Sequence, residues 1–223
     1  DVDLGIAFQK SGTPYIVLHK ENLATSPGHL ERLKLNFSYL GSFGGHSVIT
    51  HNNQCKAAMI SSGFVAKEQV FNYGAPRFDS YYKNCKSIEP PTSHNVVLFS
   101  FHMATGLYGN YNRWTSSPGE GLHSFFCETH KQIGLLAHKY PTTPFTVKLK
   151  WDYLWHDQVV KAIETSGYKL QDLPNLTITS TENPTSLIRN SSLIIAFGST
   201  TVIEPSLLGR KVIMPYYLEA EKN

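Results

Sequence analysis

Eight short, largely apolar segments separated by stretches of helical periodicity constrain this chain more than any other feature. YIVL at 15–18, HSVIT at 46–50 and QVFNY at 69–73 form a first run. NVVLFSF at 95–101, FTVKL at 145–149, NLTI at 175–178, LIIAF at 193–197 and the strand at 211–215 form a second. A strand without a polar alternation has no solvated face, so it belongs in a parallel sheet covered by helices on both sides. The intervening helices are expected at 29–40, at 53–63 with Asn52 or Asn53 as cap and Gly63 as stop, and at 120–139. In the last of these Leu122, Phe125, Phe126, Ile133 and Leu136 recur at helical spacing. Further helices are expected at 155–166, after Asn183 with Pro184 in the first position, and at 200–208.

The two runs are separated by Tyr81 to Pro91, a polar stretch ending in a Pro pair, which reads as a linker. The fold class is therefore α/β, with two Rossmann-like parallel-sheet units. Residues 1–80 form the first, incomplete unit, 81–93 the linker and 94–223 the second unit. The chain has no initiator Met, opens on what reads as the end of a helix, and stops soon after its last strand, so it reads as a segment of a longer polypeptide.

Composition excludes several classes of function. Hydrophobic residues make up 41% and charged residues 17%, as in a soluble globular protein. A net charge of +3 without a Lys/Arg run does not suit a nucleic-acid binder. No apolar stretch approaches the roughly 18 residues of a membrane span. Cys55, Cys85 and Cys127 lie far apart, which argues for reduced thiols in a cytosolic protein and against a zinc site. Asn36, Asn175 and Asn190 head glycosylation-type triplets, a pattern short enough to arise by chance.

In parallel α/β sheets ligands sit at the carboxyl ends of the strands, so residues just after strands become candidates: Lys20 and Glu21, His51, Arg77 and Asp79, His102, Lys150, and Ser199 to Glu204. After the strand at 193–197 come Gly198, Ser199, Thr200 and Thr201, then Glu204. Glycine lets a phosphate approach the main chain, hydroxyls donate to it, and a helix N-terminus offers unpaired N–H groups. Glu204, about a turn further on, could accept from two ribose hydroxyls. The same residues also read as a Thr cap on an ordinary core helix.

The hydroxyl turn, Glu204 and the following Leu-Leu-Gly-Arg-Lys-Val-Ile-Met-Pro resemble the donor half of GT-B glycosyltransferases and their relatives. The likeness is nearest to bacterial surface-carbohydrate enzymes: Kdo transferases of capsule and lipopolysaccharide, CDP-glycerol glycerophosphotransferases and, more distantly, UDP-GlcNAc 2-epimerases. It implies that Gly198, Ser199, Thr200 and Thr201 contact donor phosphate and that Glu204 contacts ribose. Pro205, directly after the Glu, has a counterpart in the epimerase-like relatives. Gly74, Ala75, Pro76, Arg77, Phe78 and Asp79 resemble the Gly-x-Pro-Arg-x-Asp segment that enters the second domain in these families. Arg77 would there offer a bidentate anion site and Asp79 would face the interdomain cleft, although the pair also reads as a hinge salt bridge.

The resemblance further suggests His102 as acid/base or as a sugar contact, unless backbone groups simply satisfy it, while Lys150 at a strand end is a candidate phosphate or sugar-acid contact, unless it is simply a solvated end. Glu21 is a candidate on the acceptor side. The loop at 103–121 carries Tyr108, Arg113 and Trp114, which suit a lid. No metal and no cofactor are expected, the nucleotide-sugar donor being a substrate. The implied function is transfer of a sugar, with CMP-Kdo the favoured donor, to a growing surface polysaccharide or lipid-linked glycan. In retaining members a carboxylate is the nucleophile, which Asp79 matches; in an inverting enzyme Asp79 or Glu21 would be the base. The alternatives are glycerophosphotransfer from CDP-glycerol, epimerase-like chemistry, or a non-catalytic domain binding nucleotide or glycan for a larger synthase. The expected location is the cytoplasm, with any contact to the inner membrane face made through other parts of the polypeptide.

Overall fold

The computed structural model describes residues 2–19, 27–84, 90–91, 94–103, 122–150, 155–197 and 200–215. The chain divides into two units, Asp1–Ser80 and Tyr81–Asn223.

The first unit runs α1 (Val2–Lys10), β1 (Ile16–Leu18), α2 (Pro27–Ser38), β2 (Ser47–Thr50), α3 (Asn53–Ser61) and β3 (Val70–Asn72). Its strands form one parallel sheet in the order β1-β2-β3, with Val17 opposite Val48 and Ile49 opposite Phe71. The helix α3 starts where the sequence suggests: the Asn52 side chain accepts from the Cys55 N–H at 2.7 Å. Gly63, with φ 75°, follows its last turn in a conformation that other residues seldom adopt. Leu33 and Phe37 of α2 pack with Val48, Cys55, Met59 and Val70 into the core of this unit.

A 3-10 turn, Pro76–Phe78, leads into α4 (Asp79–Asn84). The start of the stretch read as a linker is therefore helical, and Tyr81 within it is buried.

The second unit contains β4 (Val96–Phe99), α5 (His123–Lys139), β5 (Phe145–Lys148), α6 (His156–Glu164), β6 (Leu176–Thr179), α7 (Pro184–Asn190), β7 (Leu193–Ala196), α8 (Ile203–Leu207) and β8 (Lys211–Ile213). All pairings are parallel, in the order β6-β5-β4-β7-β8. As expected, Asn183 caps α7, its side chain accepting from Ser186 N–H at 3.2 Å, with Pro184 in the first position. Phe125, Phe126, Ile133 and Ala137 of α5 and Val159, Ala162 and Ile163 of α6 pack against Leu98, Val147 and Ile195 of the sheet. Gly134 permits that packing, because a Cβ there would lie 3.0 Å from the Ile163 carbonyl oxygen.

Two expectations need correction. Coverage of both faces holds for the interior strand β5, where all four residues are buried, but the edge strands leave Ile16, Leu18 and Ile213 exposed. The single helix expected at 200–208 is a 3-10 turn, Thr200–Val202, followed by the five-residue α8. Pro205 sits in the first turn of α8, where its missing N–H has no intrahelical partner to lose. Its carbonyl accepts from the Leu208 and Arg210 N–H groups and closes the helix.

Candidate functional site

The second unit's first strand, β4, lies at the centre of its sheet: the chain moves to one side through β5 and β6, then returns to pair β7 with the opposite edge of β4. Such a reversal opens a crevice at the carboxyl ends of the two strands. Residues 100–103 follow β4, and Thr200, Thr201 and Glu204 come after β7. His102 and the hydroxyl turn with Glu204 thus flank the switch point. Gly198 and Ser199 lie outside the described residues.

Beneath this edge runs a buried polar chain. The His130 Nδ1 lies 2.7 Å from the Phe126 carbonyl and its Nε2 lies 2.9 Å from Ser100 Oγ. A carbonyl only accepts, so Nδ1 carries the proton and Nε2 accepts from the Ser100 hydroxyl. Trp155 Nε1 donates to the same Ser100 oxygen at 3.3 Å. Burial lowers the His130 pKa to about 4, against the opposing pull of the Phe126 carbonyl, so the imidazole is neutral at pH 7. The half-buried His102 ring meets Trp155 edge-on, with centroids 5.4 Å apart. Trp155 is thereby held on one side by Ser100 and presents its ring to His102.

Glu204 is only 4% exposed. Its Oε2 accepts from the Tyr81 hydroxyl at 3.0 Å, and that hydroxyl lies 2.9 Å from Thr185 Oγ1 in the first turn of α7. Thr201, three residues earlier in sequence, is half-buried. At the end of β5 the lysines divide: Lys150 is exposed, whereas Lys148 is buried and donates to the carbonyls of Leu149 and Ser180, the latter at 2.8 Å.

In the first unit, His19 follows β1 and His51 follows β2, with ring centroids 5.6 Å apart. Both pKa values are lowered: His19 by burial and then by His51, His51 by burial and then by Arg77, with a hydrogen bond to the His19 main chain opposing the shift. Both Nδ1 atoms are buried without a hydrogen-bond partner among the described residues. Arg77 is exposed on the turn after β3, its guanidinium 5.7 Å from the Phe78 ring centroid, and Asp79 is exposed at the start of α4. Of the other residues singled out in the sequence, Glu21, Tyr108, Arg113 and Trp114 lie outside the described residues.

Sequence reasoning missed Tyr81, Thr185, Ser100, His130 and Trp155. A signal existed for His130, which sits with Phe126, Ile133 and Ala137 on the buried stripe of α5. Tyr81 carried none, standing in a stretch whose polarity argued for a linker. Among the described residues no group of His, Cys, Asp and Glu is arranged to hold a metal, and no helix is long and apolar enough to cross a membrane.

No family model matches this chain, and no curated protein matches it. Solved structures do. The UDP-GlcNAc 2-epimerase of Neisseria meningitidis, bound to UDP-GlcNAc, aligns over 94% of this chain and 55% of its own, with 18% identity and a TM-score of 0.50. HepE of Anabaena, in complex with UDP and glucose, aligns over 93% and 54% with 16% identity and a TM-score of 0.48. The wall teichoic acid polymerase TagF aligns over 92% and 49% with 16% identity and a TM-score of 0.46. The chain spans about half the length of these structures. Two all-parallel α/β units in series, with this strand order and the epimerase as neighbour, fit a partial GT-B fold.

Proposed function

We propose that this chain forms part of a glycosyltransferase that moves a sugar from a nucleotide-activated donor to a growing surface polysaccharide or lipid-linked glycan. The observation that carries the reading is the coincidence of strand order and motif. The switch point of the second sheet falls between β4 and β7, and the two sequence candidates that follow those strands are His102 and the hydroxyl turn with Glu204. In this reading Gly198, Ser199, Thr200 and Thr201 hold donor phosphate, with Arg77 and Lys150 as further anion contacts, and Glu204 binds ribose. The bond from the anomeric carbon to the phosphate oxygen breaks, the phosphate leaves with the electron pair, and an acceptor hydroxyl supplies the new oxygen and gives up its proton. Asp79 serves as nucleophile in a retaining enzyme or as base in an inverting one, and His102 contacts the transferred sugar or moves its proton. CMP-Kdo is the donor favoured by the sequence resemblance. A UDP-sugar is the second candidate, since the epimerase of the same fold was solved with UDP-GlcNAc.

A thermal-shift panel of CMP, CDP, UDP and GDP tests the reading, because a ligand that binds only the folded state raises its melting temperature. Stabilisation by several degrees with CMP or UDP is expected, as is loss of sugar transfer in Asp79→Ala and His102→Ala with nucleotide binding intact. A chain that responds to no nucleotide would sink the proposal; a response to CMP alone selects Kdo or a related acid sugar.

A further inference from the structure

We propose that Tyr81 is the positioning residue of the ribose clamp: its hydroxyl holds the Glu204 carboxylate in the orientation that accepts from the donor's ribose hydroxyls. The inference rests on the reading of Glu204 given above and adds to it a residue 123 positions away in sequence. Both side chains are 4% exposed. The Tyr81 oxygen lies 3.0 Å from Glu204 Oε2 and 2.9 Å from Thr185 Oγ1.

The direction of these bonds follows from the groups themselves. A carboxylate only accepts, so the single phenolic proton goes to Glu204, and Thr185 must donate to the Tyr81 oxygen. The result is a one-way chain from Thr185 through Tyr81 to Glu204, and each bond in it polarises the next. A bond from Tyr81 to Oε2 is compatible with simultaneous bonds from ribose hydroxyls, because a carboxylate has about four acceptor positions. A Glu side chain has several rotatable bonds, and a nucleotide that had to order it would lose affinity in doing so. An anchor set before binding removes that cost. The anchoring phenol comes from α4 and the second donor from α7, so two other helices help to orient the carboxylate of this short helix.

The test compares the affinity of the full chain for UDP and CMP with its affinity for their 2′,3′-dideoxy analogues, by titration calorimetry. In the wild type, removal of the ribose hydroxyls is expected to weaken binding, and Glu204→Gln is expected to abolish that difference. Tyr81→Phe is expected to weaken binding of the ribose form about tenfold, the loss of one hydrogen bond to a charged group. Its affinity for the dideoxy form is expected to change less than about twofold, on the same scale. Thr185→Val, which leaves Tyr81 in place, is expected to shift the ratio in the same direction by less, and it supplies the comparison if Tyr81→Phe does not fold. Equal weakening of both nucleotide forms by Tyr81→Phe would show a role in the fold alone and overturn the proposal. So would unchanged binding in Tyr81→Phe with the ribose dependence lost in Glu204→Gln, and in that case the clamp itself stands. A wild type that binds no nucleotide, or binds both forms equally, would overturn the reading of Glu204 and this inference with it.

Discussion

His130 has no charge to offer at neutral pH, yet its protonation sets part of the acid stability of the chain. Its two nitrogens are committed, one donating to Phe126 and the other accepting from Ser100, and burial lowers its pKa to about 4. The unfolded chain takes up that proton near the ordinary value of 6.5. Between pH 6.5 and about 4 the unfolded state therefore binds more protons, and stability falls as pH falls; above 6.5 the contribution is fully present. From pH 7 to pH 5 the expected loss is about 2 kcal/mol from this residue. Urea unfolding at the two pH values checks it: His130→Gln should flatten the acid slope by about that amount relative to wild type. An unchanged slope would mean that His130 takes up a proton in the folded protein. His19 and His51, both lowered as well, contribute in the same direction and remain in the comparison on both sides.

At the scale of elements, the joint between α5 and β6 shows how a residue can look like a modification site and be a clamp. Asn175 heads a glycosylation-type triplet, but its side-chain amide donates to the carbonyls of Ala137, Tyr140 and Thr143 at 2.9 to 3.1 Å. It ties the end of α5 and the turn before β5 to the start of β6, its two amide protons shared among the three carbonyls. Asn175→Ala is expected to cost about 2 kcal/mol in unfolding free energy, from bonds worth roughly 1 kcal/mol each, partly replaced by water. Asn175→Asp, though nearly isosteric, should cost at least as much, because it sets an acceptor against three acceptors. A milder effect for Asp than for Ala in chemical denaturation would show that shape matters here and donors do not. The same scale explains α8. It is a five-residue helix with a 3-10 turn before it and Pro205 inside it, and Tyr81 from α4 donates to its Glu204.

For the molecule as a whole, each unit closes its own core. Phe37, Val48 and Met59 lie at the centre of the first, and Phe126, Val147, Trp155 and Ile163 at the centre of the second. A domain of about 150 residues buries around two thirds of the surface its unfolded chain exposes, enough to fold alone. Residues 81–223 expressed separately are therefore expected to keep an α/β circular-dichroism spectrum and a cooperative urea transition. A broad transition with lost near-ultraviolet signal would show that the second core depends on the first unit.

Much of this was legible in the residues. The apolar segments separated by helical patterns specify parallel α/β units, because a strand with no polar face must be covered. The caps at Asn52 and Asn183 and the stop at Gly63 are local chemistry, readable over three or four residues. The placement of His102, Lys150 and Glu204 just beyond strands follows from the same reading. Strand order was not legible, since nothing in β4 or β7 says that they are neighbours, and the crevice exists only where they are. Nor were the pairs that orient the site. Ser100 finds His130 across 30 residues and Tyr81 finds Glu204 across 123, by packing that no local period encodes. The sequence by itself determined the kind of sheet and the strand ends that carry candidates. Tertiary structure alone decided which of those ends meet and what holds their side chains, because long-range partners are chosen by the packing of helices on a sheet whose order only the folded chain sets.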